Sequence, residues 1–359
     1  MESHEVAELF DQAVRDLRRA TELDEAPDEG WELLCRAADS GHSAVRLAVG
    51  HLADPDGVVR AAACDLLGLA GDVHGDDLRA EAAVALISLA ANETDPEVQW
   101  SIARALGATG DPRALPTLAD LAGSPDTDVR FRVAVSLPAV LDDPPAEAGE
   151  AVLIELCTDS VPKVREWATF GLGWTSSADG VTVRQALWDR TQDTDPEVRA
   201  EGVRGLARRR DPRALPLLRE LLAEDEVHRF TFQAAAYLAD PSLLPLLNEF
   251  DPDAPGVAEA LLECDPARRT QRDDAATRIL ELVHLQRPDL GIALFSERFD
   301  LGLNLEVSVR PGAEPSHSWW VDGLLARAGG DPELAARLVI DDLAGTRPRA
   351  SQPPHRATG

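Results

Sequence analysis

Asp111-Pro112-Arg113-Ala114-Leu115-Pro116 recurs unchanged at Asp211-Pro212-Arg213-Ala214-Leu215-Pro216, 100 residues further on. That interval divides into three units of about 33 residues, a period that belongs to stacked helical repeats. A second motif fills the interval: an acidic turn, a valine followed by arginine or glutamine, then an Ala-rich stretch with a leucine eight positions after the valine. It reads Val59-Arg60 with Leu67, Val98-Gln99 with Leu106, Val129-Arg130 with Leu137, Val164-Arg165 with Leu172, and Val198-Arg199 with Leu206. A weaker copy starts at Val227.

Each unit predicts two antiparallel helices. Asp-Pro supplies an N-cap and a proline whose fixed φ suits the first helical position. Leu115, Leu118 and Leu121 then share one face at helical spacing. In the second helix the core face takes the valine and the positions four and eight later, as in Val129, Val133 and Leu137. Small residues such as Ala63, Ala103, Ala134 and Ala168 let neighbouring helices approach closely. One such pair cannot bury its apolar face alone; stacked neighbours can.

The Asp-Pro and Asp-x-x-Val-Arg pattern resembles HEAT repeats, especially the bacterial HEAT-like repeats named after phycobilisome lyases. The resemblance spans residues 31–265 and implies an all-α right-handed superhelix of roughly six helix pairs. It also implies that the repeat acids and arginines, Asp128 with Arg130 and Asp195 with Arg199, tie adjacent repeats together.

Outside the array the pattern changes. Residues 5–21 predict an amphipathic capping helix through Val6, Phe10, Ala13, Val14 and Leu17, followed by an acidic linker at 22–29. Beyond Asp265 a helix is expected over 272–285. Leu303, Leu305, Val307 and Val309 then alternate with polar residues, which is a strand period, and 292–299 is expected to pair with them. Two short helices follow, one holding Trp319-Trp320 and one starting at Asp331-Pro332. The expected organisation is thus a cap and linker at 1–30, a solenoid at 31–265, a small α/β appendage at 266–345 and a Pro-rich tail at 346–359.

Composition narrows the function. With 64 acidic and 35 basic side chains the net charge is -29, and Lys163 is the single lysine. Such a surface repels phosphate backbones and anionic membranes, so nucleic acid is not an expected partner. No apolar run long enough to cross a membrane exists, the four cysteines form no C-x-x-C pair, and a reducing cytoplasm is expected.

Chemistry is sparse. HEAT-repeat deoxyhypusine hydroxylases hold di-iron through repeated His-Glu dipeptides; this sequence has His4-Glu5 alone. No G-x-S-x-G, P-loop or H-E-x-x-H occurs. No catalytic residue, metal or cofactor is therefore expected. The enzyme alternative is a HEAT-like enzyme related to metal-dependent hydroxylases or to bilin lyases, in the latter case with Arg104, Arg132 and Trp167 lining a tetrapyrrole pocket. A further alternative is an acidic neutralising partner of a basic protein.

Offsets of two, three and six after each motif valine point away from the core. They give Trp100, Ser101 and Arg104; Phe131, Arg132 and Val135; Glu166, Trp167 and Phe170; and Ala200, Glu201 and Arg204. Aromatics make up only 4% of this chain, yet four fall on this stripe, and tryptophan and arginine are the commonest interface anchors. Trp100, Arg104, Phe131, Arg132, Trp167, Phe170, Glu201 and Arg204 are accordingly the expected contacts of a protein-binding scaffold, on a concave inner wall. Gly171 and Gly173, beside Trp174, imply close backbone packing or a ligand approaching the helix.

Overall fold

In the computed structural model, which describes residues 3–23, 28–74, 76–142, 147–296, 299 and 301–344, the acidic turns cap helices as their sequence demands. The Asp95 carboxylate accepts from the Glu97 amide at 3.1 Å, and that of Asp126 accepts from Asp128 and Val129 at 2.9 and 3.1 Å. The twin hexapeptides fold alike: Asp111 accepts from the Arg113 amide at 2.9 Å and Asp211 from the Arg213 amide at 3.0 Å. Part of the expected linker at 22–29 and the whole tail at 346–359 lie outside the described residues.

The chain divides into two compact units, Met1–Leu206 and Ala207–Gly359. In the first, α1 (Ser3–Leu23) pairs with α2 (Asp28–Ala38), and α3 (His42–His51) with α4 (Gly57–His74). Then come α5 (Asp76–Ala90) with α6 (Pro96–Thr109), α7 (Leu115–Ala122) with α8 (Thr127–Ser136), α9 (Glu147–Leu156) with α10 (Pro162–Phe170), and α11 (Val181–Arg190) with α12 (Pro196–Arg208). Helices α2, α4, α6, α8 and α10 pack in succession along one layer. Val98, Val129, Val164 and Val198, with Leu106, Leu137, Leu172 and Leu206, are all fully buried, at 0% exposure. Each such side chain contributes roughly 1.5–3 kcal/mol by leaving water. Val59 is only half-buried. Cys64, Cys157 and Cys264 are buried, Cys35 is half-buried, and all four are free thiols.

The repeat arginine braces its own turn in four copies and ties to the next repeat in three of them. Its Nη1 donates to two carbonyls of the turn just before it: Arg60 to Asp54 and Pro55 at 2.9 and 3.3 Å, Arg130 to Ser124 and Pro125 at 3.0 and 3.2 Å, Arg165 to Asp159 and Ser160 at 2.8 and 3.2 Å, and Arg199 to Asp193 and Thr194 at 2.8 and 3.0 Å. Its Nε donates to an acid in the turn of the next repeat: Arg60 to Glu93 at 2.8 Å, Arg130 to Asp159 at 2.7 Å and Arg165 to Asp193 at 2.8 Å. The expected partners are thereby corrected. Asp128 is exposed and Asp195 caps α12; the tie runs to the acid two positions before the cap, the site that the turn brings under the guanidinium. At Gln99 the charged tie is replaced: its Nε2 still donates to the Glu93 carbonyl at 2.9 Å, while Ser124 stands where the acid would be.

The second unit continues with two shorter pairs, α13 (Ala214–Leu221) with α14 (Arg229–Leu238) and α15 (Leu244–Leu247) with α16 (Val257–Cys264). It then adds α17 (Pro266–Gln286), strands β1 (Gly291–Phe295), β2 (Asn304–Ser308) and β3 (Pro315–Trp320), and helices α18 (Val321–Arg327) and α19 (Pro332–Ala344). The sheet is antiparallel in the order β1-β2-β3. The helix expected at Trp319-Trp320 is corrected: the pair ends β3, with Trp319 facing Leu305 across the ladder. Two adjacent aromatics fit a pleated surface better than a helix. Trp319 fills the core of the appendage with Ile279, Val283, Val321 and Val339, and its Nε1 donates to Asp342 at 3.1 Å. Arg272, buried beside α16, holds Glu263 and lies 3.7 Å from Asp322, whose carboxyl is pushed up to about 6 by burial and by the nearby Glu263 and Asp273 charges.

Candidate functional site

Ser101 is buried, whereas Trp100, Arg104, Phe131, Arg132, Trp167 and Phe170 lie half-buried above the core, and with Arg204 their side chains form a ladder of rings and cations across the second helices of the first unit. It begins at Trp31 on α2, over which the Arg104 guanidinium of α6 lies at 4.2 Å. Arg104 also covers Trp100 at 4.6 Å, and Arg132 of α8 covers the same ring at 4.4 Å. Arg132 lies 5.7 Å from Phe131, and the Lys163 ammonium caps Phe131 at 4.3 Å. Phe131 meets Trp167 edge-on at 6.1 Å, and Trp167 meets Phe170 at 5.7 Å. Arg204 of α12 closes the run, 5.3 Å from Phe170 and 4.4 Å from Trp174. Each cation–ring contact is worth about 0.5–2 kcal/mol, more as water is excluded.

Trp100, Arg104, Phe131, Arg132, Trp167 and Phe170 are all half-buried: they touch one another along the helices and keep part of their surface in water. The aliphatic core beneath them is sealed. Glu201 and Arg204 differ from expectation. They are 8% and 4% exposed and pair at 2.7 Å. The reason is local: Gly202 and Gly205 remove side chains from α12, a Cβ on Gly205 would come within 2.8–2.9 Å of Leu187 and Gly173, and the helix sinks into its neighbours. Burial, with Glu166 and Glu197 adding to it against the pull of Arg204, pushes the Glu201 carboxyl up to about 7.

Close backbone packing also accounts for Gly171 and Gly173. A Cβ on Gly171 would stand 2.8 Å from Pro138, and one on Gly173 would stand 3.1 Å from the Gly205 Cα. The chain widens there into a π-type turn at Gly171–Thr175, the kind of irregularity that re-aims side chains. It carries Trp174 to Arg204.

Sequence spacing alone misses four members of the ladder: Trp31, Asp65, Lys163 and Trp174. Asp65 has a readable signal, because it stands six positions after Val59, the offset that gives Arg104 and Phe170 in later repeats. Its carboxylate, 7% exposed, accepts from Arg104 Nε at 3.1 Å. Burial pushes it above the usual carboxylate range against the pull of Arg104. Arg132 is held below the ordinary guanidinium value, first by burial and then by the like charge of Arg104.

A profile describing HEAT repeats matches residues 45–138 and 150–239, together just over half of the chain. The chain belongs to the HEAT-repeat family. A sequence relative is the protein YibA of Escherichia coli K12, 33% identical over 122 residues, which is 34% of this chain and 42% of YibA. The aligned part thus spans less than half of that HEAT-like relative. The X-ray structure of YibA superposes with a TM-score of 0.55 at 24% identity, covering 72% of this chain and 95% of YibA, which shows a shared fold. The CpcE–CpcF complex of phycocyanin lyase from Nostoc gives a TM-score of 0.41 at 21% identity, covering 62% and 88%. Among the described residues no helix is long and apolar enough to cross a membrane.

Proposed function

We propose that this HEAT-repeat chain is a non-catalytic cytoplasmic scaffold that holds a protein or peptide partner on the face formed by its second helices, from Trp31 to Trp174. One observation carries the reading: six aromatics of an aromatic-poor chain line up in a continuous ring-and-cation ladder outside the aliphatic core, where Trp100, Phe131, Trp167 and Phe170 stay half-exposed. The core directly beneath the ladder is filled by aliphatic side chains such as Val98, Leu106, Val129, Leu137, Val164 and Leu172. Rings braced by guanidinium groups are rigid, so they lose little entropy when covered by a partner. A wide stripe of this kind is how aromatic anchors generate affinity, a few contacts giving most of it.

Capture of partners from the native host by the wild-type chain and by a Trp100→Ala/Trp167→Ala variant tests this. With a hot spot worth about 2 kcal/mol or more, even one lost contact is ~30-fold, so the double variant is expected to lose at least that much affinity for a partner that wild type retains. A partner bound equally by both, with both chains folded by thermal unfolding, places the contact elsewhere.

A further inference from the structure

Resting on that reading, we infer that the face takes an acidic side chain from within a peptide segment, seated on the Arg132 guanidinium between Trp100 and Phe131.

The three arginines of the ladder are not equivalent. Arg104 is already neutralised by Asp65, and Arg204 by Glu201. Among the described residues the only carboxylate whose charge acts on Arg132 is that same Asp65, which Arg104 holds. The Arg132 Nε is shielded from water and has no hydrogen-bond partner. Sealed from water, that Nε is out of a visitor's reach, so a carboxylate would be taken by the two Nη groups at the outer end of the fork, which are not among the shielded atoms. Arg132 is instead braced by its two rings, Trp100 at 4.4 Å and Phe131 at 5.7 Å, which fix the plane of the fork.

The surrounding charge agrees. Around Trp100 and Phe131 stand Arg104, Arg132 and Lys163; among the described residues Asp65 engages Arg104 and Glu166 acts on Lys163, which leaves Arg132 as the cation of this patch able to meet a visiting carboxylate on a chain of net charge -29. A guanidinium fork matches a carboxylate in two parallel hydrogen bonds, which adds geometry as well as energy. Position selects an internal side chain over a chain terminus. Arg132 sits mid-ladder, with Trp31 and Arg104 on one side and Trp167, Phe170 and Trp174 on the other. A segment ending at Arg132 would leave half of the rings uncovered.

The test is selection of short random peptides, displayed with both ends joined to neutral linkers, against the full chain. Winning peptides are expected to share an Asp or Glu. Changing that residue to its amide should weaken binding to wild type by at least tenfold and leave binding to Arg132→Gln unchanged, with Arg132→Lys in between. Thermal unfolding of each variant verifies that it folds. Winners whose acid is dispensable, or equally important to Arg132→Gln, overturn the inference while their loss on Trp100→Ala/Trp167→Ala upholds the face. Winners indifferent to Trp100→Ala/Trp167→Ala overturn the face itself. An empty selection, or one won only by peptides with a free C-terminus, counts against an internal acidic side chain.

Discussion

Glu201 shows how one residue can report on the geometry around it. Its folded carboxyl titrates at about 7 against an ordinary 4.5. A raised folded value means that folding favours the protonated form. Its contribution is therefore fully present below about 4.5 and is lost as pH rises through about 7. Glu201→Gln cannot titrate, so the stability of wild type relative to this variant should fall between pH 5 and 8, by at most about 3 kcal/mol. Denaturant unfolding at several pH values measures it; a flat difference would mean that Glu201 is solvated. Its offset from Val198 puts Glu201 on the correct stripe but not at its depth. Spacing along one helix says which way a side chain points; the glycines at 202 and 205 decide how far the helix sinks.

Between elements, the arginine ties are the regular feature and the gap at Gln99 is the informative one. Arg60, Arg130 and Arg165 each pin the next turn, whereas Gln99 and Ser124 replace both halves of the tie between α6 and α8. Installing it with Gln99→Arg/Ser124→Asp is expected to give a favourable coupling of about 1 kcal/mol in a double-mutant cycle. Ser124→Asp alone should destabilise, because Ser124 is buried and a carboxylate there would lack its cation. Additive single effects would show that the two positions do not meet as the other ties do. The glycine contacts predict a second result between elements. Gly107→Val, whose Cβ would lie 2.6 Å from that of Ser136, should cost roughly 1–3 kcal/mol by overpacking α6 against the last turn of α8, read as a lowered unfolding midpoint.

Over the whole molecule, charge dominates. Sixty-four acids against 35 bases leave -29, and self-repulsion of that size destabilises a folded chain. The Debye length shrinks from about 30 Å at 0.01 M to about 8 Å at 0.15 M salt, so added NaCl should raise the melting temperature by several degrees. The part-buried arginine ties are screened less than the exposed acids, so the net change should be upward. A falling melting temperature would mean that the ties outweigh the repulsion. The repeat period, the helix pairs, the caps, the buried valine–leucine core and the stripe of rings at offsets two, three and six followed from residue order alone, because helical periodicity and N-cap chemistry act within a few residues of the chain. Tertiary structure decided which acid each tie arginine reaches, that Trp319-Trp320 closes a sheet, that Glu201 and Arg204 are sunk against each other, and that, among the described residues, Arg132 is the ladder arginine without a carboxylate of its own. Each of those depends on how closely separate helices approach, a distance set by glycines and turns on neighbouring elements and not by spacing within any one helix.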